Sequence, residues 1–372
     1  VDQTVRMPVV WTPRHVGHAP GGGYWLGIEL PGDEEPPRGE ALRTALERAG
    51  APVHVAIAHG DAPVLAVHDP EFVDWFSRAW SEWQAAGLDN DPGQPRVVPY
   101  VFALPQLTSG RPIPEPAAAW ARSGRYAMDT MTLISPGTYD AARGAVDVAL
   151  TAADLVLDGP LPAAYAACRP PGHHAGAQLY GGSCYLNNAA ITAQYLRERG
   201  VARVAVIDID AHHGNGTQEL FYARDDVFFG SVHVDPSHGW FPHFLGFAAE
   251  RGADNGVGTN RNLPLPPGTG DVEWVAAVHD LVEEVRRFNP AALVVSLGVD
   301  AAEADPESPL KVTETGFARA GRALATLNVP TVLVQEGGYD LEHLGSLVIE
   351  VLAGFENAEI PGTAPIADEE HA

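Results

Sequence analysis

The chain has 372 residues, 45% of them hydrophobic and 19% charged, with a formal net charge of −25 from 48 acidic and 23 basic residues. Such a charge repels phosphate backbones and argues against a nucleic-acid partner, and no apolar run is long enough to cross a membrane. The two cysteines, Cys168 and Cys184, form no Cys-x-x-Cys pair and no disulfide framework. Val1–Val10 lacks the basic start and apolar stretch of a signal peptide. A soluble, reducing, cytoplasmic setting is therefore expected.

In chain order, Val53–Ala58, Ala163–Cys168, Arg203–Asp208, Val227–Val232, Ala292–Leu297 and Thr331–Gln335 read as short buried strands. Between them, Ala189–Arg199, Val272–Phe288 and Thr315–Thr326 have helical composition and spacing. Alternation of this kind implies a parallel sheet covered on both faces. There is no internal repeat and no long linker, so residues 1–372 read as a single domain. Two stretches are irregular: His15–Pro37, rich in Gly, Pro and aromatics, and the Pro-rich Asp89–Pro116. Loops this long are functional or pack against a partner. Tyr24, Trp25, Leu26 and Ile28 among glycines suit contact with a second subunit, giving a homodimer or higher oligomer through residues 15–37. Ile360–Ala372 reads as a frayed tail.

Ligands of open parallel sheets bind outside the carboxyl ends of the strands, and every chemical motif here follows a predicted strand. The run Val206-Ile207-Asp208-Ile209-Asp210-Ala211-His212-His213-Gly214-Asn215-Gly216 ends in a carboxylate and an imidazole two residues apart. If the strand continues, Asp210 and His212 face the same side. Ser296–Asp300 ends another apolar run in a carboxylate. Asp210, His212 and Asp300 are the expected ligands of a divalent ion: three protein ligands leave the open position catalytic zinc requires, although another first-row ion would also suit. Cys168-Arg169-Pro170-Pro171-Gly172-His173-His174 presents two histidines on a rigid turn. Imidazoles beside a metal suit proton transfer, with Asp208 and Asn215 available to orient them. In Glu336-Gly337-Gly338-Tyr339, the Tyr339 hydroxyl is placed to donate to an oxyanion.

Together these motifs resemble the zinc-dependent histone deacetylase superfamily. Arg-Pro-Pro-Gly-His-His, Asp-Ile-Asp-Ala-His-His-Gly-Asn-Gly-Thr-Gln, Ser-Leu-Gly-Val-Asp and Glu-Gly-Gly-Tyr occur in order, and the resemblance runs from about Val53 to about Glu356. It implies the α/β, three-layer arginase/deacetylase fold, with a central parallel eight-stranded sheet and helices on both faces. It also implies a Zn2+ ion and a structural K+ or Na+ at Asp208, Asp210, His212, Ser231 and Val232. Gly182, Ser183 and Phe241 would line the substrate tunnel. Ile134–Thr138 and Phe241–Gly246 look like the bacterial acetylpolyamine amidohydrolase subgroup, in which the long N-terminal loop helps form a dimer and narrows the entrance. Asn215, where class I deacetylases have aspartate, resembles the class II-like branch.

The sequence departs from that pattern in places. Ser183 stands where the family usually has a tunnel aromatic, so one wall should be open unless Tyr180 or an aromatic of residues 15–37 fills it. Trp120 and Met131 lie in the stretch where acetylpolyamine hydrolases carry glutamates near the substrate ammonium. Glu29, Asp33, Glu34, Glu35 and Glu115 are the acids available to replace them. The implied reaction is hydrolysis of an N-acyl amide, an acetylpolyamine or related small acylated amine, to free amine and carboxylate. The rival readings are an acetyl-lysine protein deacetylase, a two-metal ureohydrolase of the same fold, and a non-catalytic sensor of acylated ligands that keeps the metal.

Overall fold

A computed structural model describes residues 3–159 and 161–358. The tail read as frayed, Ile360–Ala372, lies outside these residues. Eight parallel strands form one sheet: β1 (Val9–Trp11), β4 (Val53–Val55), β5 (Ala163–Ala166), β6 (Val204–Asp208), β7 (Val227–Val234), β8 (Asn260–Leu265), β9 (Ala292–Leu297) and β10 (Thr331–Gln335). A separate antiparallel hairpin joins β2 (Gly23–Trp25) to β3 (Ile28–Leu30). The order across the large sheet is β4-β1-β5-β10-β9-β6-β7-β8.

Strand alternation divides the interior into two layers. Ala205, Ile207, Leu293, Val295 and Leu333 point to the layer formed with helices Pro37–Arg48, Asp271–Phe288, Glu314–Ala325 and Leu344–Glu356. Their neighbours Val204, Val206, Val294, Val332 and Val334 point to the layer formed with helices Thr138–Asp158 and Asn188–Glu198. The period of two makes both faces apolar, so the strands read as nearly continuous hydrophobic runs. A third cluster is rich in aromatics: Phe72, Trp75, Phe76 and Tyr126 pack with Tyr180 and Tyr185 of the loop that follows β5.

The strands that carry the motifs, β5, β10, β9 and β6, are neighbours in the middle of the sheet. Their carboxyl ends therefore open onto one place. Two sequence expectations need correction. Val53–Ala58 is not a buried strand: only Val53–Val55 is extended, and it is an exposed edge strand. β6 ends at Asp208, so Asp210 and His212 lie in the following loop. They converge because the His212 amide donates to Asp210 Oδ1 at 2.9 Å, a local turn, and not through strand alternation. The irregular 15–37 stretch also holds more order than expected, since it contains the β2–β3 hairpin. That hairpin turns on Leu26 and Gly27, both at positive φ, as a two-residue turn of this kind requires. Among the described residues, no helix is long and apolar enough to cross a membrane.

Candidate active site

Asp210, His212 and Asp300 offer ligand atoms that all lie within 4.8 Å of one another. His212 Nδ1 is 3.0 Å from Asp300 Oδ2 and 3.4 Å from Asp210 Oδ1. The remaining carboxylate oxygens are held by backbone donors. The Ala211 amide donates to Asp300 Oδ1 at 2.8 Å, and the Gly337 amide to Asp210 Oδ2 at 2.8 Å. A side chain at residue 337 would bring its Cβ to 2.5 Å from Asp300 Oδ2, which is why glycine follows Glu336. The three buried carboxylates of Asp208, Asp210 and Asp300 have imidazoles as their only ion-pair partners among the described residues. Buried charge of one sign is costly without a counter-ion. Burial and the Asp210 charge accordingly push the Asp300 pKa upward. This donor set fits a divalent cation.

The tandem histidines face this group, each held through Nδ1. His173 Nδ1 lies 2.9 Å from Asp208 Oδ2 and His174 Nδ1 lies 2.7 Å from Asn215 Oδ1. Both contacts leave Nε2 as the free nitrogen. Burial opposes charge on His173, but Asp210 and Asp208 outweigh it and raise its pKa to about 10. His174 goes the other way: burial and the neighbouring His173 and His212 charges press it well below its usual value. The two adjacent imidazoles are thus pushed in opposite directions, the sort of split that separates acid and base roles.

Glu336 was quoted in the sequence but given no role. It is fully buried, and burial raises its pKa to about 7. The Gly172 and His173 amides donate to its Oε2 at 2.7 and 3.1 Å, and Ser296 Oγ donates to its Oε1 at 3.1 Å. Glu336 therefore fastens the His-His turn to β9 and β10. Its atoms also lie near those of His173 and Cys184, but with both oxygens occupied by protein donors it forms a structural frame.

Tyr339 is half-buried, with the Arg38 guanidinium 4.6 Å from its ring centre. Burial, with the Glu307, Asp300 and Asp210 charges, lifts its hydroxyl well above 10, so it remains an O–H donor. Arg38 also donates to the Glu336 and Gly338 carbonyls at 2.8 and 2.6 Å.

Gly182 is wedged between two rings. Its φ is +55°, and a Cβ there would lie 2.3 Å from His174 Cδ2 and 2.9 Å from Phe241 Cε1. The Phe241 and His174 rings meet edge-on at 4.8 Å. Ser183 follows with φ +63°, its amide donating to Thr132 Oγ1 at 2.9 Å. Tyr180 does not fill the place left by Ser183, because it is fully buried in a stack with Phe72, Trp75 and Tyr185.

Most of the acids named as replacements are engaged elsewhere. Glu34 is buried among Arg38, Arg169 and His18. Glu29 pairs with Arg96, Glu35 accepts the Gly21 amide at 2.8 Å, and Glu115 lies 3.6 Å from Arg122. Asp33 is exposed and makes no ion pair among the described residues. Trp120 and Met131 are both partly exposed. The sequence reading missed Glu307, which is half-buried and unpaired among the described residues. Burial and the Asp33 and Asp305 charges raise its pKa, while His212 and Arg38 lower it. The only sequence signal for it was an acid seven residues beyond Asp300.

The fold and this donor set define a metal-dependent hydrolase of the deacetylase architecture. The model of the histone deacetylase domain matches residues 33–355, and the chain belongs to that family. It is similar to an acetylpolyamine amidohydrolase of Mycoplana ramosa, 42% identical over 326 residues, which make up 87% of this chain and 92% of that protein. A crystal structure of acetylpolyamine aminohydrolase from Burkholderia pseudomallei superposes with a TM-score of 0.87 at 40% identity, covering 94% of this chain and 99% of that one. The HD domain of HDA15 superposes with a TM-score of 0.73 at 26% identity, covering 95% of this chain and 89% of that one.

Proposed function

We propose that the chain hydrolyses the amide of an acetylpolyamine or a related small acylated amine, with Zn2+ held by Asp210, His212 and Asp300. The observation that carries this is the Asp/His/Asp donor set faced by the oppositely tuned His173 and His174, in a chain 42% identical to acetylpolyamine amidohydrolases. When bound, such an ion polarises the amide carbonyl and makes water more acidic. His174 Nε2 takes the proton as the water oxygen bonds to the carbonyl carbon. It then delivers that proton to the nitrogen as the C–N bond breaks, leaving a free amine and a carboxylate. Asn215 holds the His174 ring in register. His173, charged and fixed by Asp208, stabilises the developing negative charge, and the Tyr339 hydroxyl donates to the carbonyl oxygen from another side.

Glu307 supplies unpaired negative charge near Tyr339 and His212, and the exposed Asp33 adds to the field at Glu307. This supports a substrate whose distal end is an ammonium, held by Coulomb attraction that is stronger at a half-buried site than in water. Gly182, Ser183 and Phe241 form the passage. The hydroxyl of Ser231 supports a monovalent K+ or Na+ near Asp208, its partner across β6 and β7, with Asp210, His212 and Val232. His233 Nε2 lies 2.8 Å from the Gly246 carbonyl and so carries the proton; His233 Nδ1 accepts from Ser231 Oγ at 2.8 Å. The Ser231 oxygen lone pairs remain for a cation.

The test is a panel of acetylated diamines, acetylpolyamines, acetyl-lysine peptides and bulkier acyl amides, assayed on one preparation with metal removed and then restored. Slim cationic amides should turn over best, and only with metal. Glu307→Gln should raise KM for them more than for a neutral acetyl alkylamide. A preference for acetyl-lysine peptides, or turnover without metal, would refute the reading.

A further inference from the structure

Asp305 lies in the loop after β9, five residues beyond Asp300, and is buried. Its carboxylate has no cationic partner within ion-pair distance among the described residues. It accepts backbone N–H groups instead. Oδ2 accepts from Tyr339 at 2.6 Å and from Asp340 at 3.2 Å, and Oδ1 accepts from Glu307 at 3.0 Å. A buried charge satisfied by main-chain donors alone is an expensive choice. It does what other side chains of this size cannot: an ionised carboxylate offers acceptor sites on two oxygens, whereas an asparagine offers one acceptor oxygen and a donor. One oxygen reaches across to the turn after β10 that carries Tyr339, and the other closes a local turn onto Glu307, two residues further along the same segment.

We propose that Asp305 is a positioning residue that sets the oxyanion donor Tyr339 with one oxygen and the cation-facing Glu307 with the other. The inference rests on the roles given to Tyr339 and Glu307 above. The Tyr339 loop has other ties: Arg38 donates to the Gly338 carbonyl and stacks on the Tyr339 ring, and Asp210 accepts from the Gly337 amide. The Tyr339 amide itself is held by Asp305. The amide of Glu307 likewise bonds to Asp305 Oδ1. Reaction rate and ammonium recognition are thereby fixed by one side chain that touches neither substrate nor metal.

The experiment measures kcat and KM for Asp305→Asn and Asp305→Ala on a slim cationic acetyl amine and on a neutral acetyl alkylamide. Each variant is also made in a Tyr339→Phe background, with metal content and melting temperature recorded. In Asp305→Asn the one remaining acceptor oxygen is expected to stay with the Tyr339 and Asp340 amides. The new amide group then faces the Glu307 N–H, and KM should rise several-fold more for the cationic substrate than for the neutral one. Asp305→Ala removes both the contact across to the Tyr339 loop and the local turn at Glu307. A displacement of about 1 Å in a catalytic group costs about 10²-fold, so kcat should fall by that order on both substrates. Most of that loss should vanish when Tyr339 is already phenylalanine. An equal, independent loss in the Tyr339→Phe background, or an unchanged ratio of KM values in Asp305→Asn, would overturn the proposal. Near-normal turnover by Tyr339→Phe alone would overturn the role of Tyr339. The Asp305→Asn KM ratio would then judge the Glu307 arm separately. Should Asp305→Ala fail to fold, the Asp305→Asn result decides, because it preserves side-chain shape.

Discussion

Ser183→Phe tests how the passage to the metal set selects its substrate. The backbone at Ser183 is tied by its own amide to Thr132 and by the Gly182 amide to Asp129, at 2.9 and 2.6 Å. The residue already adopts φ +63° with a Cβ in place. Phenylalanine, unbranched at Cβ, should therefore keep this conformation and add a ring near Phe241, since Gly182 is in contact with that residue. Covering one more side of a slim alkyl chain removes on the order of 40 Å² of apolar surface, or about 1 kcal/mol at about 25 cal/mol/Å². That corresponds to about a fivefold lower KM. A branched or bulky acyl amine meets the opposite outcome, because overpacking costs about 1–3 kcal/mol. Combining the two, the specificity ratio kcat/KM of slim to bulky amides should rise by at least about 20-fold. The assay compares an acetylated diamine with a branched acyl amide on wild type and variant at equal metal content. An unchanged ratio would show that this wall is closed by something other than residue 183.

Replacing Asp300 with alanine removes a carboxylate from the donor set, so bound divalent metal and turnover should be lost together; full metal occupancy measured by elemental analysis would be the contrary result. His59 should make stability depend on pH. Its Nδ1 donates to the Ile57 carbonyl and its Nε2 to Asp154 Oδ2, both at 2.9 Å, and Asp147 flanks the ring. These carboxylates, Asp147 foremost, outweigh burial and raise its pKa. A raised folded-state pKa contributes stability that is complete below the unfolded value of about 6.5 and is lost as pH rises through the folded value. Melting curves of wild type and His59→Asn should therefore converge above that window, and a gap that is constant from pH 6 to 9 would exclude the linkage. Finally, Trp25, Leu26 and Ile28 are 56%, 78% and 61% exposed at the tip of the β2–β3 hairpin. Polar substitutions at these three positions should lower the mass seen by sedimentation, whereas an unchanged mass would remove this tip from any subunit contact.

The central strands were legible because both their faces are buried: Ala292–Leu297 and Thr331–Gln335 match the observed strands residue for residue. β1 and β8 escaped notice for opposite reasons. Val9–Trp11 is too short to show a period, and Asn260–Leu265 mixes Asn, Arg and Pro into a half-exposed edge. Helix Thr138–Asp158 was missed although it lies against the sheet. It is rich in alanine and buried around most of its circumference, and so it lacks the narrow apolar stripe that marks an amphipathic helix. In the site, the motif residues follow strand ends and could be read from order alone. Asp305 and Glu307 could not. Their place near Tyr339 depends on which loop lies across from them, and chain order does not show that the segment after β9 bonds, through Asp305, to the one after β10.

The 15–37 segment shows what such cross-connections do. Read as a sequence it is a glycine-rich loop suited to a partner. In the structure its Glu34 accepts from Arg169 Nη2 at 3.0 Å and from Arg38 Nη1 at 2.8 Å, and lies 3.2 Å from His18 Nε2. Arg169 immediately precedes the Pro-Pro-Gly-His-His turn, and its guanidinium also donates to the His15 and His18 carbonyls at 2.6 and 2.7 Å. Arg38 reaches the Glu336 and Gly338 carbonyls and stacks on Tyr339. One buried carboxylate therefore lies between the His173–His174 turn and the Tyr339 loop. Removing one member of a buried ion pair leaves the other charge uncompensated, at a cost of about 3–5 kcal/mol. Deleting the whole loop would thus disturb His173, His174 and Tyr339 whether or not subunits meet there. The hairpin tip is separable, because the Tyr24 amide is anchored to the Thr130 carbonyl at 2.9 Å and the Tyr24 hydroxyl accepts from Gln94 at 2.6 Å, while Leu26 stays in solvent. Substitution at the tip therefore probes assembly alone, and Glu34→Gln probes the catalytic frame: the first should change mass with little change in kcat, and the second should lower kcat without changing mass.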